Sequence, residues 1–193
     1  MTAMQTAELM TGEEFLALPP EPGSRWRSLV EGELVMDAPR WPHNVLQTNL
    51  LFALEIWVRA APDRGRAGLP LDVQLDEYNV FEPDIVWYAA GRVPRLEDDR
   101  PYPLPDLAGE IRSPSTWAYD IGPKKAAYER HGLPELWLVD TVAAEVLVFR
   151  RSAPGAAAFD VALELGPTDV LASPLLPGFS LGLDELFAAG GSG

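Results

Sequence analysis

Asp84 follows Pro83 at the opening of a short β-rich run, and Glu110 stands near the end of the next one. Two carboxylates carried on neighbouring strand ends can converge on one hard cation. Mg²⁺ or Mn²⁺ suits oxygen ligands, and Mg²⁺ commonly uses only one or two carboxylates beside waters and substrate phosphate. The backbone carbonyl of Ile111 is a candidate to complete the shell. Such an ion can polarise a phosphodiester, lower the pKa of a water and stabilise a leaving oxygen. The third residue is Lys124. Asp120, Lys124 and Tyr128 are spaced i, i+4, i+8 and share one helix face. Pro123 is tolerable only in a first helical turn, since it lacks an N–H and clashes deeper in. This makes Asp120 the expected N-cap and puts Lys124 just inside the helix, where its amine could orient a nucleophile or offset transition-state charge. On spacing alone each residue has an ordinary reading: a turn aspartate, a solvated glutamate, a surface lysine.

The elements that must position these residues follow from periodicity. Thr11-Gly-Glu-Glu14 forms a capping box opening a short helix through Leu18, which Pro19, Pro20 and Pro22 end. Leu29 to Asp37 reads as a strand or hairpin arm, with Gly32 at a turn or bulge. Residues 42–60 place Val45, Leu46, Leu50, Ala53, Leu54, Trp57 and Val58 at helical spacing, and Pro62 is a stop. Strands are expected at Leu69–Leu75, from Pro83 to Tyr88, at Asp106–Ile111, Pro134–Asp140 and Glu145–Arg150, and more weakly at Phe159–Leu165. A helix lies within Trp117–His131, closed by Gly132 as C′ residue. A short one covers Leu183–Phe187. The sum is α/β or α+β, a central mixed sheet flanked by helices. Trp87, Trp137 and Phe149 belong to its core.

The length of 193 residues and 47% hydrophobic content suit one domain with a substantial core. The expected division is a core at about 25–150, a strand and helix extension at 151–187, and a flexible tail at 188–193. There is no cysteine, hence neither disulfides nor thiolate–metal sites, as a reducing cytoplasm would suit. The first ten residues lack the basic and apolar regions of a secretory signal. No run approaches the roughly 20 apolar residues that span a bilayer. The expected location is cytoplasmic. The net charge of −14 argues against a generic nucleic-acid coat. It is unevenly placed: Asp84 to His131 holds seven basic and eight acidic residues, and the remainder eight basic and 21 acidic.

The order of motifs is itself informative. Glu82-Pro83-Asp84-Ile85-Val86 is followed by Gly109-Glu-Ile-Arg-Ser-Pro-Ser-Thr116. Next comes Asp120-Ile-Gly-Pro-Lys124 with Tyr128, then Gly132-Leu-Pro-Glu-Leu-Trp-Leu-Val-Asp140. From about Leu29 to Arg150 this resembles a family of uncharacterised bacterial restriction-endonuclease-like proteins, often labelled Uma, in the PD-(D/E)XK nuclease superfamily. The resemblance implies a restriction-endonuclease-like core and metal binding by Asp84 and Glu110. It also implies an active-site lysine moved from the strand to the following helix, at Lys124. The strand position two after Glu110 is Arg112, which either contacts phosphate or is exposed. Ser28 stands where the family opens an acidic segment with glutamate. His43 matches a family histidine and either approaches the site or caps its helix. Tyr128 either acts in the site or packs beneath it, and His131 meets a helix C-terminal dipole.

These readings converge on an expected Mg²⁺- or Mn²⁺-dependent endonuclease acting on DNA. The alternative is a non-catalytic module with the same fold and a vestigial site, favoured by the acidic charge and Ser28. A homodimer would suit cutting of two strands, although nothing in the sequence specifies one.

Overall fold

The computed structural model describes residues 9–19, 26–37 and 39–188. Pro20, Pro22, the first eight residues and the tail beyond residue 188 lie outside them. Helix α1 (Gly12–Ala17) opens on the expected capping box: the Glu14 N–H donates to Thr11 Oγ1 and the Thr11 N–H to Glu14 Oε2. Strands β1 (Trp26–Val30) and β2 (Glu33–Asp37) form an antiparallel hairpin pairing Val30 with Glu33. Its two-residue turn needs positive φ at both positions, and Glu31 (51°) and Gly32 (79°) supply it. The long helix α2 (Trp41–Arg59) follows, then β3 (Arg66–Gly68), β4 (Val73–Asp76), β5 (Asn79–Phe81) and β6 (Ile85–Tyr88). The single strand expected at Leu69–Leu75 is instead the end of one connection and the start of β4. Pro70 cannot donate to a ladder, and the chain there passes between two sheets.

Strand β7 (Leu107–Ile111) leads into a composite helix α3. Its parts are Trp117–Tyr119, a π-helical turn Asp120–Lys124, and Lys125–Arg130. Gly132 then takes φ of +85°, as its expected C′ role requires. Strands β8 (Glu135–Asp140), β9 (Glu145–Arg150) and β10 (Val161–Leu165), a small β11 (Val170–Leu171) and β12 (Leu181–Gly182) pair, and helix α4 (Leu183–Phe187) complete the described chain.

The central sheet is mixed, as the sequence predicts, with order β10-β9-β8-β7-β6-β3. β7 and β8 run parallel, joined by the α3 crossover, and the other pairs are antiparallel. A second antiparallel sheet has order β2-β1-β5-β4. Helices cover both faces of the central sheet. On one, Leu46, Leu50, Leu54 and Trp57 of α2 and Leu183 and Leu186 of α4 pack on Ile85, Leu107, Trp137 and Val139. On the other, Ala127 and Tyr128 of α3 pack on Ala108, Leu136 and Leu138. Each fully buried large side chain contributes about 1.5–3 kcal/mol. The period-2 alternation of β7 sends Leu107 and Ile111 to the α2 face and Ala108 and Glu110 to the α3 face. Among the described residues, no helix is long and apolar enough to cross a membrane.

Candidate active site

The chain leaves the small sheet at Phe81 and enters the central one at Ile85. Glu82, Pro83 and Asp84 make that crossing, which sets Asp84 at the seam between the sheets. Its carboxylate is held from two sides. Oδ2 accepts the Ile111 N–H at 2.7 Å, and Oδ1 lies 3.1 Å from His43 Nε2. One helical turn beyond His43, Gln47 Nε2 donates to the Asp84 carbonyl at 2.9 Å. His43 is therefore a site neighbour, and it is not the N-cap of α2, which is Arg40. Burial pulls the His43 pKa down, but the hydrogen bond and charge of Asp84, helped by Asp37, outweigh it and leave it raised.

Glu110 is presented from β7, where Gly109 lies opposite Ile85. A Cβ at 109 would stand 3.3 Å from the Ile85 Cβ, so the absent side chain permits this close pairing. Glu110 Oε1 receives two donors: Lys124 Nζ at 2.8 Å and Tyr128 OH at 2.8 Å. Lys124 Nζ also meets Asp120 Oδ1 at 3.0 Å, and Asp120 Oδ2 accepts the Thr116 hydroxyl at 3.1 Å. The Tyr128 ring packs edge-on against Phe81 of the small sheet. Tyr128 thus both packs beneath the cluster and touches it.

The i, i+4, i+8 face holds, but not by the expected capping. Asp120 is no N-cap. The helix starts three residues earlier at Trp117, and Pro123 sits inside it. A widened π turn spans the place where proline offers no N–H and would crowd the Tyr119 carbonyl. Asp120 spends its carboxylate on Lys124 and Thr116 instead.

All these groups are buried, and their charges are mutually dependent. Burial, with the charges of Asp120 and Asp84, pushes Glu110 up to about 8 despite Lys124. Burial would lower Lys124, but Asp120 and Glu110 override it and hold the ammonium charged. Burial also raises Asp120 and, with the Glu110 charge, the Tyr128 hydroxyl, which remains a donor.

A cavity of about 30 Å³ opens beside the cluster, lined by Asp84, Glu110, Asp120, Lys124 and Thr116. That is room for a single ion or water and not for a nucleotide. Its other walls include Ser28, the departure noted in the sequence, and Glu82, Asp37 and Tyr119, which were not legible as site residues. Burial and the Asp72 charge push Glu82 up to about 7. The Ser28 hydroxyl accepts the Glu82 N–H at 3.2 Å. Asp37 Oδ1 accepts Ser113 and Ser115, both at 2.9 Å, which gives the Ser-Pro-Ser segment a task. Glu82 and Asp84, two apart around Pro83, were the available signal for a shared wall.

Among the described residues, no group of three or more acidic, His or Cys side chains is arranged to hold a metal. Two carboxylates and a carbonyl are still a donor set that Mg²⁺ accepts. Strand alternation turns the Ile111 N–H and C=O toward the same edge, the one facing Asp84. The raised pKa of Glu110 fits a pocket that a cation would relieve.

Arg112, an expected contributor, and His131, expected at the helix dipole, both lie elsewhere. Arg112 is neither free nor turned to the cavity: its Nη1 reaches both oxygens of Asp140, at 2.9 and 2.7 Å, and its guanidinium lies over Trp117. His131 does close the helix, but its Nε2 is 2.8 Å from Asp76 Oδ2, a side-chain partner beyond the helix dipole.

A family model described as "Putative restriction endonuclease" (Uma2) matches residues 12–184. No curated protein matches the chain. Among solved structures, it is similar to a "putative nuclease" from Anabaena variabilis at a TM-score of 0.76 and 23% identity, over 92% of this chain and 97% of that one.

Proposed function

This chain belongs to the Uma2 family of restriction-endonuclease-like proteins, and on that premise we propose that it is a divalent-metal-dependent endonuclease that hydrolyses DNA phosphodiester bonds. The observation that carries the reading is the convergence of Asp84, Glu110 and Lys124, from a connection between sheets, a strand and a helix, on one cavity. Asp84, Glu110 and the Ile111 carbonyl would hold Mg²⁺ or Mn²⁺. When bound, the ion supplies Lewis-acid polarisation of the phosphoryl group and a lowered water pKa.

The protein's own groups do the rest. Lys124, held cationic by Asp120 and Glu110, offers its N–H donors to phosphate oxygens and offsets charge that develops there. Tyr128 fixes the Glu110 carboxylate, and His43 with Gln47 fixes Asp84. Arg112 has no part in the chemistry. Because the cavity admits only a small group, the nucleic acid approaches at its mouth.

The test is cleavage of supercoiled plasmid with Mg²⁺ or Mn²⁺ by the parent protein, Lys124→Ala and Asp84→Asn. Nicking by the parent and its loss in both variants is expected. Cleavage that persists in both refutes the assignment. A second reading, a non-catalytic module, draws on Lys124 being committed to two carboxylates and on Ser28. Calorimetric titration separates the two: no binding of Mn²⁺ by the folded protein favours the second.

A further inference from the structure

Helix α2 carries apolar residues on two opposite faces, and the described residues bury one. Leu46, Leu50, Leu54, Trp57 and Val58 are buried against the central sheet. On the far side, at 100° per residue, Trp41, Val45, Phe52 and Ile56 fall within about 60° of arc. Trp41 is 78% exposed, Phe52 66% and Ile56 58%. Exposed apolar residues such as Leu96 and Val142 stand singly on turns, whereas these gather on one face of one helix.

We propose that this face of α2 is the interface of a homodimer, in which the helix packs antiparallel on its copy across a two-fold axis. A second copy fits as the occupant, because this face lacks the charge that repels it elsewhere. Two chains of net charge −14 repel each other over most of their surfaces. The 19 residues of α2 carry one acidic residue and one arginine, Glu55 and Arg59, joined at 2.7 Å. The face is thus a neutral strip on an acidic body.

The strip is also self-complementary. A two-fold axis near residue 50 sets Val45 against Ile56 of the second copy. It sets Trp41 against the second copy's Arg59, whose side chain is 75% exposed and suited to stack on an indole. The three most exposed side chains together offer about 400 Å². That is about half of what each partner buries in a standard interface, and the flanks that a helix crossing brings together supply more. A reversible dimer follows, and it does not depend on whether the cluster cleaves DNA.

The test is sedimentation velocity of the full chain over a dilution series up to about 100 µM. Twice the 21.1 kDa chain mass is expected at the top of the series, dissociating on dilution. Phe52→Glu and Trp41→Ala, both at exposed positions, should each weaken the dimer at least about tenfold, while Val142→Glu should leave it unchanged. Circular dichroism confirms that each variant is folded. A parent protein that stays monomeric throughout overturns the proposal. A dimer that survives both α2 substitutions overturns it as well.

Discussion

Replacing Lys124 with methionine removes the charge and keeps most of the volume. The lost ammonium bridges Glu110 at 2.8 Å and Asp120 at 3.0 Å, both buried. Removing one partner of a buried pair costs about 3–5 kcal/mol, because the remaining charge is left uncompensated. That cost depends on pH. Burial already raises Glu110 to about 8 with Lys124 present, from an ordinary 4.5, and losing the ammonium raises it further. A carboxyl raised on folding contributes stability that is complete below its unfolded pKa and is lost as pH climbs through the folded value. The Lys124→Met deficit is therefore smaller near about pH 5, where Glu110 is protonated in the fold and Asp120 alone has lost its partner, and reaches about 3–5 kcal/mol near about pH 9. For a chain of this length that is a fall in Tm of about 10 °C. The assay is thermal unfolding by circular dichroism at both pH values, with chelator present. A deficit of equal size at both, or none at the higher pH, refutes the charge argument. Adding Mn²⁺ should then raise the variant's Tm more than the parent's, since a cation replaces the missing charge.

Three further outcomes follow from the same geometry. Tyr128→Phe removes a 2.8 Å donor from Glu110 and leaves the ring packing on Phe81, so denaturant unfolding should show a loss of about 1–2 kcal/mol. His43→Ala frees one Asp84 oxygen, and calorimetry should find Mn²⁺ affinity weakened about tenfold or more; unchanged affinity would show that His43 does not support the site. Arg112→Ala breaks the two contacts to Asp140 and should lower Tm while leaving plasmid cleavage intact well below that Tm, because the arginine faces away from the cavity.

What the sequence displayed and what it hid divide along chain separation. The trio was visible because its members sit on strongly patterned elements in an ordered set of motifs, and α3 kept Asp120, Lys124 and Tyr128 on one face. Contacts made across the chain were not visible in local patterning, and His43 was flagged only through the family resemblance, with helix capping as its alternative. His43 meets Asp84 from 41 positions away, and Ser113 meets Asp37 from 76 away; no local period encodes either distance. Strand β5 is three residues long, too short for alternation to register, yet its Val80 pairs with Leu29 and it delivers the chain to Asp84. Arg112 had a usable clue. The parallel register of β7 on β8 pairs Ile111 with Val139, which leaves Arg112 beside Asp140. That register depends on tertiary pairing and could not be read from the strand alone.

Pro123 shows how a local rule can fail and still inform. Proline is excluded from an α-helix interior because it takes away one hydrogen bond and crowds the preceding turn. The rule therefore placed the helix start at Asp120. The structure keeps the rule's physics and changes its consequence: the turn widens to a π-helix and the helix continues through it. An ordinary N-cap at 120 would have aimed the Asp120 carboxylate at the backbone N–H groups of the first turn. With three residues of helix ahead of it, Asp120 has no such duty and turns to Lys124. The ammonium is thereby gripped from two directions, by its own helix and by β7. A lysine carried beside Glu110 on the strand would get its position from the sheet. One carried on a helix needs a second anchor, and the π turn with Asp120 supplies it. Asp120→Asn should therefore cost cleavage, and Asp120→Glu, which keeps a carboxylate, should retain part of it. Full cleavage by Asp120→Asn would show that Lys124 needs no such anchor.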